Sequence, residues 1–561
     1  MVKKIVLSVI VTVLIVCMSS CGAENANSNT LTQEEISHSD AISEQNITGI
    51  LSVQCNPAGA DIYINGERYE KQATPCLISL EEGNYEIELV IPGYEAFVQT
   101  TDVKAGEVTE ITCSILPEIP ETENMRSVVV TTESDTDPNT YADITVEDLS
   151  SMESISLRQA LAAIQNDKSD CWYRVEFAEN VDHIELVDHI IEFSRDNLVF
   201  NGDKNRDGIP DVSITQTEWS LLFRPMNNLH IMGFILGNEN DNNGCAIAVR
   251  PDDYFSGDVS YSNVYWLGCQ FNNCEIIPFC GACKIYDSYG KVDYYNINAC
   301  GNTLYNSNLF FSYCGNVDDS ITDGMYFCAN TLDDSSCITP QNSDCNTNYV
   351  YGSGTFEANG GIPGAVEACD NNVVRNILVS GNCGGRLVCA SSVNGHSNCK
   401  TEDIVIRNNI ITDYVFIRVT QPIDERNEGY TIAMNNNSID HLIFEYNVLI
   451  DKPMYIGLAS FDDSDDSTSY IIEDNVMSAS VFRNNYYVGN EYQHTEYISK
   501  EIDLELRGGI IPGDIYISNQ EGKASNVIFE NNRYENLIFE NNHVISNWIN
   551  GGEWDAMEIT E

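Results

Sequence analysis

The sequence predicts an all-β chain, a small β module followed by a long solenoid of parallel strands. Three observations carry that expectation. A short apolar phrase closed by Asn-Asn returns again and again, most plainly in NVIFENNRYENLIFENN, residues 526–542. Short alternating runs punctuated by turn residues fill positions 50–117. Between them stands one clear helix signal, Ser156-Leu157-Arg158-Gln159-Ala160-Leu161, where Ser-x-x-Gln gives capping-box spacing ahead of good helix formers.

At 561 residues the chain exceeds one ordinary domain. Its formal net charge is -57, from 85 acidic against 28 basic residues. Phosphate recognition needs Lys and Arg, so nucleic acid is excluded as a partner, and anionic headgroups are poor partners for the same reason. An acidic surface stays soluble, repels polyanions and suits divalent cations.

The chain opens with Met1-Val2-Lys3-Lys4, a basic start, and an apolar run from Ile5 to Val16. That run is of signal-peptide type and short for a membrane span. Its end, Met18-Ser19-Ser20-Cys21-Gly22, resembles a bacterial lipobox. The resemblance implies a lipoprotein signal peptide at 1–20, lipid attachment at Cys21, and a mature protein on the extracytoplasmic face of the cell membrane, held by lipid alone. Residues 21–49 are polar and read as a flexible linker.

The alternating runs Ile62-Tyr63-Ile64, Tyr85 to Leu89 and Ile111 to Ile115 alternate with the turns Asn56-Pro57-Ala58-Gly59, Asn65-Gly66 and Pro92-Gly93. Periodicity makes this a compact β module. The order Pro57-Ala58-Gly59-Ala60, Asn65-Gly66, Thr74-Pro75, Gly83 and Pro92-Gly93-Tyr94 resembles the PEGA domain, over 50–117. That family implies a small β-sandwich-like envelope module, a spacer or interaction domain, with no catalytic residues to carry over.

Residues 118–143 turn acidic and Pro/Thr-rich and read as a linker, with a strand signal inside it at Ser127 to Thr132. A Val-Thr-Thr strand followed by Ser-Leu-Arg-x-Ala resembles the entry of bacterial right-handed parallel β-helices, whose first coil is plugged by a helix. Those proteins often carry Cys before the Ser, where this chain has Ile155. The β-helix is expected over 144–548, followed by an acidic tail at 549–561. Its phrases include Ile404-Val405-Ile406-Arg407-Asn408-Asn409, Leu442-Ile443-Phe444-Glu445-Tyr446-Asn447 and Val481-Phe482-Arg483-Asn484-Asn485. The short spacing fits neighbouring faces of one coil, and the long one fits a full turn. First and third positions point inward at period two. Asn408, Asn484, Asn531 and Asn541 fall at the bend, where Asn tolerates left-handed geometry and stacked amides can form ladders.

Four features bear on chemistry. Asp203, Asn205, Asp207 and Asp211 have the alternating oxygen donors and central Gly208 of an abbreviated calcium loop, although Ile214 stands where a full EF-hand has Glu. Structural Ca2+ is the cofactor expected. Of 20 cysteines, 14 lie between Cys245 and Cys399; inter-coil disulfides and buried thiols both fit, and Cys280-x-x-Cys283 lacks a second pair for zinc. Asp318-Asp319, Gly395-His396 and Arg418 follow the order of catalytic groups in β-helical pectin hydrolases, which they resemble. There, paired carboxylates divide acid and base roles and the Arg holds a uronate. The chain departs from that pattern: no Asn-x-Asp precedes the pair, the gap to His396 is long, and Arg418 has no Lys after it. Finally, Tyr254, Tyr261, Tyr265-Trp266, Tyr286, Tyr289 and Tyr294-Tyr295 form a set of aromatics for stacking sugars or packing a core.

The expectation is therefore a lipid-anchored surface protein that presents a β-helix wall to extracellular or cell-wall polysaccharide, or to a surface protein, without catalysis. A polysaccharide hydrolase or lyase is the alternative, with a purely structural envelope protein third.

Overall fold

The computed structural model describes residues 48–546 apart from 121, 136–142, 187–190, 217–220, 225, 238–245, 250–257, 275–278, 281–290, 313–318, 334, 341–370, 394–396, 422–430, 451–453, 461–468, 490–503, 508–514 and 522–525. Cys21 and the 549–561 tail lie outside the described residues.

The N-terminal module has two sheets. One is three-stranded, with Thr48–Asn56 between an antiparallel Cys76–Glu81 and a parallel Val108–Ser114. The other is four-stranded and antiparallel, built on Asp61–Ile64, Gly83–Val90 and Phe97–Val103. Asn65-Gly66 makes the hairpin turn with both residues at positive φ (53° and 83°), the geometry that favours Asn-Gly there.

The rest is a parallel β-helix. Its longest wall is a 15-stranded parallel sheet that begins at Met125–Val130 and includes Trp172–Phe177, Asn227–Met232, Val259–Leu267, Val292–Cys300, Ile321–Cys328, Val373–Ser380, Lys400–Arg407 and Ser438–Glu445. Met125–Val130 falls within the segment read from sequence as linker, so the β-helix sheet starts ahead of residue 144. A six-stranded sheet follows the first corner, and a seven-stranded sheet forms another wall in the later coils. The capping helix is Leu157–Asn166. Ser156 Oγ accepts from Gln159 N–H, Gln159 Oε1 accepts from Ser156 N–H, and Leu157, Leu161 and Ile164 plug the end of the core.

The repeated phrase is the coil seen in one dimension. Its first Asn takes a left-handed corner, at φ 54° for Asn408 and Asn484 and 49° for Asn541. The second Asn points inward, and its amide bonds to the next coil. Nδ2 of Asn302, Asn330, Asn382, Asn409, Asn447 and Asn485 each donates to Oδ1 of the next Asn along the axis, at 2.9–3.2 Å. In this phrase the ladder is carried by the second Asn; left-handed Asn residues ladder elsewhere, where Asn228 donates to Asn197, Asn263 to Asn228 and Asn436 to Asn398, at 2.7–3.2 Å. Each rung also donates to a carbonyl of an earlier coil, as Asn447 does to Ile406 O at 2.9 Å. Buried amides with every bond made avoid the desolvation cost of an unpaired polar group. The ten-residue doublet is two faces of one coil: Asn526–Glu530 lies in a three-stranded sheet and Leu537–Glu540 in the long one.

The module does not stand apart from the solenoid. Leu51, Ile62, Leu89 and Tyr94 share one apolar cluster with Val199, Met232, Leu267, Cys300, Cys328 and Ala329 of the β-helix. Tyr94 is buried there, and its hydroxyl donates to Cys300 O at 3.1 Å. Farther along, Arg407 donates to Asp61 Oδ2 at 2.7 Å, and Glu445 accepts from Arg483 at 2.7 Å with Arg68 of the module at 3.7 Å. A free spacer has no such interface. The module is a flank of the β-helix.

Candidate functional site

The acidic loop follows Leu198–Asn201, a strand of the long sheet, and leads to Val212–Gln216 of the six-stranded sheet. Asp203, 6% exposed, accepts the amides of Asp207 (3.2 Å) and Gly208 (2.9 Å). Asn205 Oδ1 accepts from Asp207 N–H, Asp207 Oδ1 from Ile209 N–H, and Asp211 Oδ2 from Lys204 N–H, at 2.8–2.9 Å. Burial raises the Asp203 pKa, and the neighbouring Asp207 charge adds to that, while the Gly208, Asp207 and Arg206 amides oppose it. Among the described residues no three His, Cys, Asp or Glu side chains gather as a metal group. A cation here has to draw Asp207 and Asp211 toward Asp203. Arg206 leaves the loop to pair with Glu95 of the module at 3.0 Å, so the loop also touches the docked flank.

Of the four enzyme candidates, Asp318 and His396 lie outside the described residues. Asp319 is exposed, with φ 57°. It occupies the corner position that Asn371, Asn398, Asn436, Asp474 and Asn531 take on later coils, all at positive φ. Arg418 lies on strand Val415–Gln421 of the seven-stranded sheet. Its alternation settles its direction: Val415, Ile417 and Val419 are core, so Phe416 and Arg418 belong to the outer phase. The described geometry thus places Asp319 and Arg418 in separate structural settings, a corner and a wall.

Sequence reasoning missed what surrounds Arg418. Register sets Phe416 beside Tyr455, and Arg418 beside Ala390 and Gly457. Phe416 and Tyr455 stack at 5.1 Å and 13°, and Tyr414 joins them at 5.7 Å from Phe416. The Arg418 guanidinium lies 4.3 Å from the Phe416 ring centre. Arg386 flanks the group, 5.9 Å from the Tyr414 ring, and donates through Nε and Nη2 to Asp413 at 2.9 and 2.6 Å. The three rings are half-buried. The charges named in this group are the paired Arg386 and Asp413 and the Arg418 guanidinium. The available signal was an aromatic on the outward phase of two strands 39 residues apart, close to the 38-residue step of the Asn ladder.

The aromatic set read from sequence goes elsewhere. Tyr261 and Tyr294 are core residues stacked at 5.1 Å, and Trp266 is buried in the same core against Phe271. Tyr265 stacks on His230 at 4.4 Å and packs against the module. Tyr295 is 38% exposed, and Tyr254, Tyr286 and Tyr289 lie outside the described residues. Burial lowers the pKa of His230 to about 4, so it is neutral under its stack at pH 7.

The PEGA domain model matches residues 48–118. No curated protein matches the chain. Among solved structures, the chain is similar to a Yersinia enterocolitica family 28 exopolygalacturonase at 11% identity, covering 86% of this chain and 93% of that one, with a TM-score of 0.25.

Proposed function

We propose that this is a lipid-anchored, extracytoplasmic binding protein whose seven-stranded wall captures extracellular or cell-wall glycan. The observation that carries the reading is the Tyr414, Phe416 and Tyr455 row with Arg418 and the Arg386–Asp413 pair beside it. Half-buried rings offer apolar flanks and their Tyr hydroxyls offer donors and acceptors, the mixture a sugar surface needs, with Arg418 and Asp413, each 8% exposed, backing the row. The module's contacts described above fall on the long sheet and its corner, away from this row. A strongly acidic chain repels polyuronates, so neutral glycan is the favoured ligand.

The test is retention of the ectodomain, residues 22–561, on a panel of neutral and acidic polysaccharides, beside Tyr455→Ala. Retention on one of them, weakened at least tenfold by Tyr455→Ala with unchanged circular dichroism, is expected. Release of new reducing ends overturns the reading in favour of a hydrolase or lyase. The anchor is tested by Cys21→Ser, which should move the protein from the membrane fraction to the soluble one. Structural calcium in the Asp203, Asn205, Asp207 and Asp211 loop is part of the proposal, supported by the alternating hard oxygen donors of one short loop. A melting temperature that is the same in calcium and in EDTA would remove it.

A further inference from the structure

Two thiols face each other in the module. Thr48–Asn56 and Val108–Ser114 run parallel, and their register sets Cys55 opposite Cys113. Opposite residues of a parallel pair share a face, and the Cys113 thiol donates toward the Cys55 sulfur across 3.4 Å. The next pair pins that register: Asn56 Nδ2 donates to Ser114 Oγ, also at 3.4 Å. Both cysteines are free and half-buried, and Val108–Ser114 is an edge strand, so a reagent can reach Cys113. Burial pushes both thiols above their ordinary pKa, which keeps them protonated until a partner draws them into exchange.

A second pair serves as an internal control. Cys300 and Cys328 are also opposite each other in a parallel pair, on the long sheet. They lie under the docked module, 0% and 3% exposed. The two pairs share their register and differ in access.

We propose that Cys55 and Cys113 form a disulfide when the exported chain meets a disulfide-type oxidant, while Cys300 and Cys328 remain thiols. In the first step the Cys113 sulfur, losing its proton, attacks one sulfur of the oxidant and expels a thiol. In the second the Cys55 sulfur, likewise deprotonated, attacks Cys113 and expels the other. The chain loses two hydrogens and the oxidant becomes two thiols. The bond ties the module's first strand to its last, from which the chain leaves for the β-helix. The proposal uses the extracytoplasmic address only to supply the oxidant and does not depend on glycan binding.

The ectodomain, reduced and then treated with oxidised glutathione, is alkylated and digested. The expected result is a linked Cys55–Cys113 peptide pair, lighter by two hydrogens than the separate peptides, with Cys300 and Cys328 alkylated only after denaturation. The melting temperature of the oxidised form should exceed that of the reduced form by several degrees. In Cys55→Ser, Cys113 should instead retain glutathione. Should that variant not fold, the wild-type peptide map decides alone. Separate alkylation or glutathionylation of Cys55 and Cys113 in the wild type overturns the proposal, as does oxidation of Cys300–Cys328 first.

Discussion

The same corner of the β-helix is built in two ways along its length. Under the docked module the left-handed position is Gly233, Gly268, Gly301, Ala329 and Gly381; at its far edge, where Arg407 and Glu445 still meet Asp61 and Arg68, it is Asn408 and Tyr446, and beyond it Asn484 and Asn541, with φ between 49° and 68° throughout. The backbone is alike in both halves: each corner N–H donates to the carbonyl ending the next coil's long strand, as Gly301 does to Cys328 and Asn484 to Glu540. The difference lies in what sits outside. A Cβ on Gly381 would stand 2.1 Å from Gly59 O, and one on Gly301 would stand 2.0 Å from Tyr94 Oη. Turn geometry alone is satisfied by Asn, so Gly301 and Gly381 answer a second demand, the close approach of the module. A Cβ at Gly233 would meet Asp203 of the β-helix itself, and one at Gly268 would come no nearer to the module than 3.4 Å, at Tyr94 Oη. Residue choice at one repeated position thus records where the module lies.

The comparison breaks most directly at Gly381→Asn. Asn tolerates the φ of 67°, so the substitution isolates the collision with Gly59 from backbone strain. That collision is backbone against side chain, with no flexible group to yield. The expected cost is about 3 kcal/mol by urea unfolding, at the upper end of overpacking effects. Limited proteolysis should then cut between module and β-helix. A variant as stable and as protease-resistant as the wild type would mean the module is not docked there.

Next in size is Asn447→Leu in the ladder. It removes the donor to Ile406 O and Asn485 Oδ1, and the acceptor for the backbone and side-chain amides of Asn409. Buried partners left unmet cost about 1–3 kcal/mol each, so a loss of about 2–3 kcal/mol is expected after the partial gain from apolar burial. The unfolding midpoint checks it. Because the ladder runs through both halves, Asn382→Leu under the module should cost as much as Asn447→Leu beyond it.

The solenoid was legible in sequence because its signal is repeated: inward apolar pairs and Asn-Asn corners recur at coil spacing, and Ser156 with Gln159 marks the plug. The docking was not, because Gly301 and Gly381 read as ordinary turn glycines until Tyr94 and Gly59 are placed against them. Which tyrosines pack the core stayed open for a different reason. Asn263 and Asn296 interrupt long strands at φ 54° and 56° and reset the alternation. Inward positions become Tyr261, Val264 and Trp266, which strict period two does not give. The Phe416–Tyr455 row stayed hidden because an outward aromatic in one strand is unremarkable; only the neighbouring coil makes it a row.

The polar end of the docking surface predicts a smaller effect. Asp61 and Arg407 pair at 2.7 Å, with each side chain 15% exposed. Asp61→Asn leaves Arg407 without its charge partner but keeps an oxygen to accept from it. A loss of about 1 kcal/mol is expected, between surface and buried pairs. The wild-type advantage should shrink in high salt, read as a converging pair of unfolding midpoints. An unchanged difference would place the contribution in packing.

Smallest of all should be the reverse swap, Asn484→Gly. Here the corner lies beyond the module, and at φ 54° glycine needs no rearrangement. The ladder is untouched, since Asn485 carries that amide. The remaining effect is the extra freedom of glycine in the unfolded chain, about 0.5 kcal/mol or less. Chemically, Gly381→Asn and Asn484→Gly exchange the same two residues at the same position of the coil. An asymmetry of several-fold between their costs assigns the glycines to docking. Equal costs would instead assign both to the turn, and docking would rest on the shared apolar cluster around Tyr94 and on ion pairs such as Asp61–Arg407.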